Sequence, residues 1–241
     1  MALSGTDRGV GTHNTAGNFT LSPASNFTAG WAVLCLAADN ASAGGVGSVI
    51  TVTDSLSNTW TRRISPLYDP VGASAGVEGG IFTTPQDGGT LTTGTTITVT
   101  FTNAAVAKTW TLMQVSGTSI SYVTGNVNVG SATNAPTVTT ASIPSGDMVI
   151  AALFNESGTG QTVTADSDST NGAWSTQQTA EIGTTTSGMT VASQRKVVTA
   201  TATQTYNPTL GVSSDVILGW IELSESVAGA NTVRSFAVVI A

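Results

Sequence analysis

Fourteen carboxylates, one histidine and one cysteine are the groups this chain could bring to acid–base, nucleophilic or metal chemistry near neutral pH. Their spacing is sparse. His13 lies in a polar N-terminal stretch away from any predicted core, so a Ser-His-Asp relay built on it would lack a rigid scaffold. Cys35 sits in the apolar run WAVLCLAAD without a base nearby and reads as a small buried hydrophobe. One His and one Cys cannot assemble a zinc site from imidazole or thiolate. Carboxylate pairs remain, as in glycoside hydrolysis. A strand-borne Glu-x-Asp-x-x-Glu arrangement is absent: Glu222 and Glu225 flank Leu223 and Ser224 with no third acid in register. An enzyme is not expected, and no cofactor is implied.

Two acidic turns stand out because they resemble each other. Residues 52–60 read VTDSLSNTW, and residues 163–174 read VTADSDSTNGAW. Asp166, Asp168 and Thr170 alternate like the first half of a calcium loop, which makes them the one metal candidate. Against it, the glycine falls one place late and no bidentate Glu follows at the twelfth position. Asp, Ser and Asn also build turns by bonding their own backbone, and that is the preferred reading. No metal dependence is expected. Trp31, Trp60, Trp110, Trp174 and Trp220 could form a sugar platform, but Trp60 and Trp174 recur at matching points and Trp110 and Trp220 lie in apolar strands, a pattern that favours packing. Arg62-Arg63 and Arg195-Lys196 are the only basic doublets. They read either as solvated strand edges or as interface residues that pair with acidic neighbours in an assembly.

Composition narrows the function classes. Charged residues make up 9% of 241, against roughly 25% in an ordinary domain, and the net charge is −7. Two lysines and five arginines leave no basic stripe for phosphates, so nucleic acid is not an expected partner. Hydroxyls and amides keep such a surface wet, and it can be covered without stripping water from many charges. A lone cysteine gives no intrachain disulfide. The first residues show no basic segment followed by an apolar one, so no signal peptide is expected. No apolar run approaches 18 residues, so no membrane span is expected either. The sequons at Asn18, Asn26, Asn40 and Asn155 read as products of an Asn/Thr-rich text.

The elements that must position these residues are strands. TTITVTFT alternates, with Ile97, Val99 and Phe101 on one face and threonines on the other. SVITVTD, SISYVTG and RSFAVVIA are similar, and turn signals such as DGG and SGTG recur between them. No helical period is sustained. The predicted fold is all-β, a jelly-roll or Ig-like β-sandwich. It is built from two internally repeated halves: GWAVLCLA matches GDMVIAAL, Trp60 matches Trp174, and TLMQVSG (111–117) matches GWIELSE (219–225). The expected layout is a flexible N-terminal arm (1–17), repeat 1 (18–117), a linker (118–135), and repeat 2 (136–241) with a C-terminal tail strand. WAVLCLAA and DMVIAALF are apolar at odd and even positions alike. Each must be a central strand covered on both faces, by the other repeat or by a neighbouring subunit.

The half-repeat, an apolar strand after Gly, VTDSxxNTW, a Gly-rich strand, TITVTF, an apolar strand ending in SG and then SGD, resembles β-sandwich proteins of bacteriophage virions and related bacterial surface proteins. The resemblance covers about residues 28–225 and rests on pattern rather than an invariant motif. It implies a non-enzymatic virion structural protein, most of all a capsid decoration or cement protein on the outer surface of the particle. It implies the major capsid protein or other virion proteins as partners, and a homo-oligomer as the working form. The alternative is a carbohydrate-binding or adhesion module of a phage tail or cell surface.

Overall fold

The computed structural model describes residues 2–39, 47–69, 76–103, 105–128, 130–157, 161–183 and 188–225. In the first half, β1 (Ser4–Asn14), β2 (Phe19–Leu21), β3 (Trp31–Asp39), β4 (Ile50–Asp54) and β5 (Thr61–Ile64) come first. They are followed by β6 (Leu67–Tyr68), β7 (Val77–Thr84), β8 (Ile97–Phe101) and β9 (Ala107–Ser116). The second half opens with β10 (Ile120–Val127), β11 (Ser131–Thr133), β12 (Val138–Ile143), β13 (Met148–Ser157) and β14 (Val163–Thr164). It closes with β15 (Gln178–Ile182), β16 (Gly188–Val197), β17 (Ala202–Tyr206), β18 (Thr209–Leu210) and β19 (Ser214–Glu225). No helix occurs among the described residues, so the protein is all-β.

Two large antiparallel sheets carry the architecture. The first runs β1-β9-β3-β7-β5, with β6 added on β7. The second runs β10-β19-β13-β16-β15, with β11 added on β19. Read along the chain, the two five-strand paths have the same order, and the matched sequence segments fall on β3 and β13 and on β9 and β19. Smaller sheets cap the outer faces: β2-β8-β4 on the first half, and the pairs β12-β17 and β14-β18 on the second.

Side-chain alternation sorts the apolar residues into three cores, and these define four layers. Leu34 and Leu36 of β3 point outward onto Phe19, Ile50, Ile97 and Phe101 of the first small sheet. Val149, Ala151 and Leu153 of β13 point outward onto Val138, Ile143 and Tyr206. The opposite faces meet each other: Val33, Cys35 and Ala37 pack against Ile150, Ala152 and Phe154 across a seam between the two large sheets. The protein is therefore two sandwiches joined back to back. The second face of each central strand is covered by the other half of the same chain, so the two-sided apolar pattern is not by itself evidence of an assembly.

Close approach across this seam depends on small residues. A Cβ at Gly79 would lie 2.1 Å from the Leu36 carbonyl oxygen and 3.0 Å from Phe154, and one at Gly219 would lie 2.4 Å from Ile64 Cδ1. Near the middle, the Thr111 and Ser193 hydroxyls bond at 2.7 Å, tying β9 to β16. Beside them the Cys35 thiol is pushed up to about 12 by burial. At the sides, β1 lies along β15 and β10 along β5, so the first strand of each large sheet meets the last strand of the other.

Two expected boundaries change. Residues 4–14 are no flexible arm but the edge strand β1, paired with β9 from Ser4↔Ser116 to Asn14↔Ala107. The glycines that suggested flexibility make room instead: a Cβ at Gly11 would lie 2.5 Å from Trp110, and one at Gly5 would lie 2.2 Å from Arg195 Cδ. Residues 120–127, expected as linker, form β10 and supply the same edge to β19. The predicted tail strand, RSFAVVIA, lies outside the described residues. Removing residues 1–14 should consequently lower the urea midpoint and leave the β9 edge unpaired. Gly79→Ala should cost about 3 kcal/mol, because a backbone oxygen blocks its Cβ. Gly219→Ala should cost only about 1, since Ile64 can turn aside. Wild-type stability in Gly79→Ala would contradict the close approach of the Leu36 carbonyl to β7, and wild-type stability with an unshifted Ile64 in Gly219→Ala would contradict the contact between the halves.

Candidate functional site

The first acidic turn closes on itself. Asp54 Oδ1 accepts the amides of Leu56 (2.8 Å) and Asn58 (3.2 Å), and Oδ2 accepts Asn58 Nδ2 (3.0 Å) and the Trp60 indole N–H (2.7 Å). Asn58 in turn accepts the amides of Gly88 and Gly89. The carboxylate is the hub that fixes the loop and the tryptophan after it, which accounts for the VTDSLSNTW spacing.

The second turn uses its acids differently. Asp166 is buried; its Oδ1 accepts the Asp168 amide (2.7 Å) and its Oδ2 the Asn207 amide (2.9 Å). Gln194 grips the Asp166 backbone from below, at 2.9 Å to N and 3.0 Å to O. Asp168 accepts the Thr170 amide (2.9 Å) and the Lys196 ammonium (3.2 Å), and these hold its carboxyl below the usual range. Lys196 is itself buried, with its Nζ 5.3 Å from the Trp174 ring, which tilts against Tyr206 at 5.2 Å. The three calcium candidates are thus brought together, but as a chain of backbone-bonded turns with an ammonium beside Asp168. Among the described residues no group of three His, Cys, Asp or Glu is placed to hold a metal ion.

Between this loop and β17 lies an open cleft of about 410 Å³. Asp168, Thr170 and Asn171 form one wall, with Thr203, Thr205 and Asn207 on the other. Nothing in the sequence marked residues 203–207 as part of a site.

The other basic residues have partners inside the chain. Arg62 lies over Phe82 and donates to the Gly79 carbonyl. Arg63 stacks 4.4 Å from Tyr122 and 5.6 Å from Trp31 while donating to Thr83 Oγ1, so it bridges the two halves. Arg195 pairs with Asp7 of β1, again across the halves. Acidic partners for Arg195 and Lys196 are therefore present, but within one molecule. Of the tryptophans, Trp110, Trp174 and Trp220 are buried, and Trp31 and Trp60 pack at core margins. His13 stacks on Phe19 at 5.4 Å. Asn155 is fully buried, so that sequon carries no glycan in the folded chain, while Asn40 lies outside the described residues.

One cluster escaped sequence reasoning. Asp39 ends β3, Glu156 comes near the end of β13, and Asp215 sits opposite Glu156 on β19. Burial first, then the charges of Asp39, Asp215 and Asp69, push the Glu156 carboxyl up to about 7. Asp39 and Asp215 are raised as well, chiefly by burial. The available signal was an acid closing each all-apolar strand, as in WAVLCLAAD. Neither the cleft beside Asp168 nor the one beside Arg195 includes these groups.

Fold and sites together define a class: an all-β protein of two stacked sandwiches whose ionisable groups mostly serve packing. No protein-family model, curated protein or solved structure matches the chain.

The seam carboxylates fix a pH dependence. A folded pKa raised above the unfolded value gives stability that is complete below the unfolded value, near 4.3, and lost as pH rises through about 7. Lys108, lowered to about 8, stays charged across that window and does not contribute to the slope. The melting temperature should fall between pH 4 and 7. Glu156→Gln should flatten the fall and melt several degrees above wild type at pH 8; equal slopes would contradict the placement of Glu156. Millimolar calcium should leave the melting temperature unchanged, because the Lys196 ammonium beside Asp168 opposes a second cation and no third acid completes a ligand set among the described residues.

Proposed function

We propose that this chain is a non-enzymatic structural protein of a bacteriophage particle, a capsid decoration or cement protein acting as a homo-oligomer on the outer surface of the shell. The observation that best supports this reading is the outward face of the β2-β8-β4 sheet. Its outward-pointing residues are all threonine: Thr20, Thr51, Thr53, Thr98 and Thr100. Register places Thr98 beside both Thr20 and Thr53, and Thr100 beside Thr51. Such a face carries no charge to desolvate and offers a donor and an acceptor at each position. It suits burial against the major capsid protein or another virion protein through many modest hydrogen bonds. The rigid four-layer body supports the same reading, since a clamp must not yield when the shell is loaded.

The adhesion alternative draws on a separate observation, the polar cleft of the second half. Copy number separates the two: quantitative mass spectrometry of purified particles should find hundreds of copies for a decoration protein, against a dozen or fewer for a tail component. Thr20→Lys combined with Thr51→Lys, two positions that are not paired with each other, should leave the melting temperature within about 1 °C of wild type, as surface changes generally do, and abolish co-sedimentation with capsids. Wild-type binding by the double variant, or no effect of the bound protein on heat-induced DNA release, would remove the decoration role.

A further inference from the structure

The small outer sheets of the two halves differ in how their strands pair, and that difference leaves a cleft. In the first half the middle strand β8 is shared: Ile97 and Val99 pair with β2 on one edge and with β4 on the other. In the second half the equivalent pairings are staggered along the chain. Residues 202–206 pair with β12, and only beyond Asn207 and Pro208 do Thr209 and Leu210 pair with β14. Among the described residues, the edge of β17 turned away from β12 therefore carries no strand. Extended-strand alternation sends Gln204 toward β12, where its amide meets Thr140 Oγ1, and turns the backbone of Thr203, Thr205 and Asn207 the other way. The Asp166 loop stands across from that edge and holds to it at one end through the bond from the Asn207 amide to Asp166 Oδ2. The cleft of about 410 Å³ is the space left between them.

Its lining selects a ligand class. Hydroxyls come from Thr170, Thr203 and Thr205, amides from Asn171, Gln204 and Asn207, and a single carboxylate from Asp168. No apolar side chain lines it, so a lipid tail or aromatic ring would gain little there. No cation lines it either: the Lys196 ammonium is buried and already bonded to Asp168, which leaves no free donor charge for phosphate or carboxylate. That same ammonium opposes a metal ion beside Asp168. What remains is a neutral molecule with adjacent groups that both donate and accept. Each Asp168 oxygen keeps a lone pair after its present bond, and each threonine and asparagine offers both functions. Asn171 is fixed in the left-handed region at φ 57°, and its backbone carbonyl is held by the Thr199 amide at 3.0 Å, so its side chain is presented from a set position. The volume falls at the lower end of the roughly 300–1,000 Å³ typical of small-molecule sites.

We propose that the cleft between the 166–172 loop and β17 is a saccharide-binding site for one or two neutral sugar units. This rests on the asymmetry of the halves and stands whether or not the protein decorates a capsid. Among the described residues the first half has no counterpart, because β4 fills the equivalent edge and Leu56, Asn58 and Trp60 saturate Asp54.

The test is an amide-resolved NMR titration of the full chain with glucose, galactose, N-acetylglucosamine and maltose, each to about 50 mM, a range that captures millimolar affinities. At least one sugar should give saturable shifts at residues 168–171 and 203–207, and none in the first half. Asn171→Gly preserves the left-handed backbone and Thr203→Val preserves shape; together they should weaken that response at least tenfold without altering the melting temperature. Asn207→Ala, exposed at the far end, gives an independent variant with the same expectation. Absence of saturable shifts with all four sugars overturns the proposal. So do shifts confined to other residues, or a response that persists in both variants.

Discussion

Two large sheets pressed back to back set the terms for the rest of this structure. Neither central strand has a wet face, so both must be apolar at every position, and small residues must sit where the halves come closest. Gly79 and Gly219 leave room for Phe154 and Ile64, and the Thr111–Ser193 hydroxyl pair supplies a bond where two polar groups are buried together. A polar pair satisfied in this way costs little, and it fixes how β9 lies on β16. The few charged groups are displaced to the margins of the seam. Arg63 and Arg195 reach across it to Tyr122 and Asp7, and Asp39, Glu156 and Asp215 gather at the strand ends.

That gathering has an energetic sign. Carboxylates from both halves are crowded where water is scarce, so ionising them opposes closure of the seam rather than supporting it. The apolar seam must outweigh this repulsion, and burial of β3, β7, β13 and β19 on both faces provides the means. The strain is greatest at neutral and alkaline pH, where all the acids seek to ionise.

Legibility in the sequence followed how far each feature depends on local pattern. The all-β class and the two central strands could be read from WAVLCLAA and DMVIAALF, since two-sided apolarity has one structural meaning. What covered the second face could not, because one half and a neighbouring subunit impose the same pattern. β1 was missed for a related reason, whereas SISYVTG read as a strand but was assigned to the linker, because nothing local says that it pairs with β19. The residues of β1 are polar, glycine-rich and half exposed, and only the otherwise unpaired edge of β9 makes them a strand. The glycines of β1 were read as freedom when they are clearance for Trp110 and Arg195. Of the candidate site, the Asp166–Asn171 wall was visible as an acidic turn. The opposite wall was not, because its exposure results from a stagger in strand pairing that no local signal records.

The same stagger explains why two similar turns end in different chemistry. In the first half the acid is consumed: Asp54 satisfies its own loop and the Trp60 indole, and β4 seals the strand edge beside it. In the second half, Asp166 spends one oxygen on the loop and the other on Asn207, and the Trp174 indole finds no hydrogen-bond partner among the described residues. The loop is thereby anchored at one end and held away from β17 along the rest. A second carboxylate, Asp168, then faces the gap, balanced by Lys196 beneath it. One turn serves only the fold, while its counterpart keeps polar groups open to solvent.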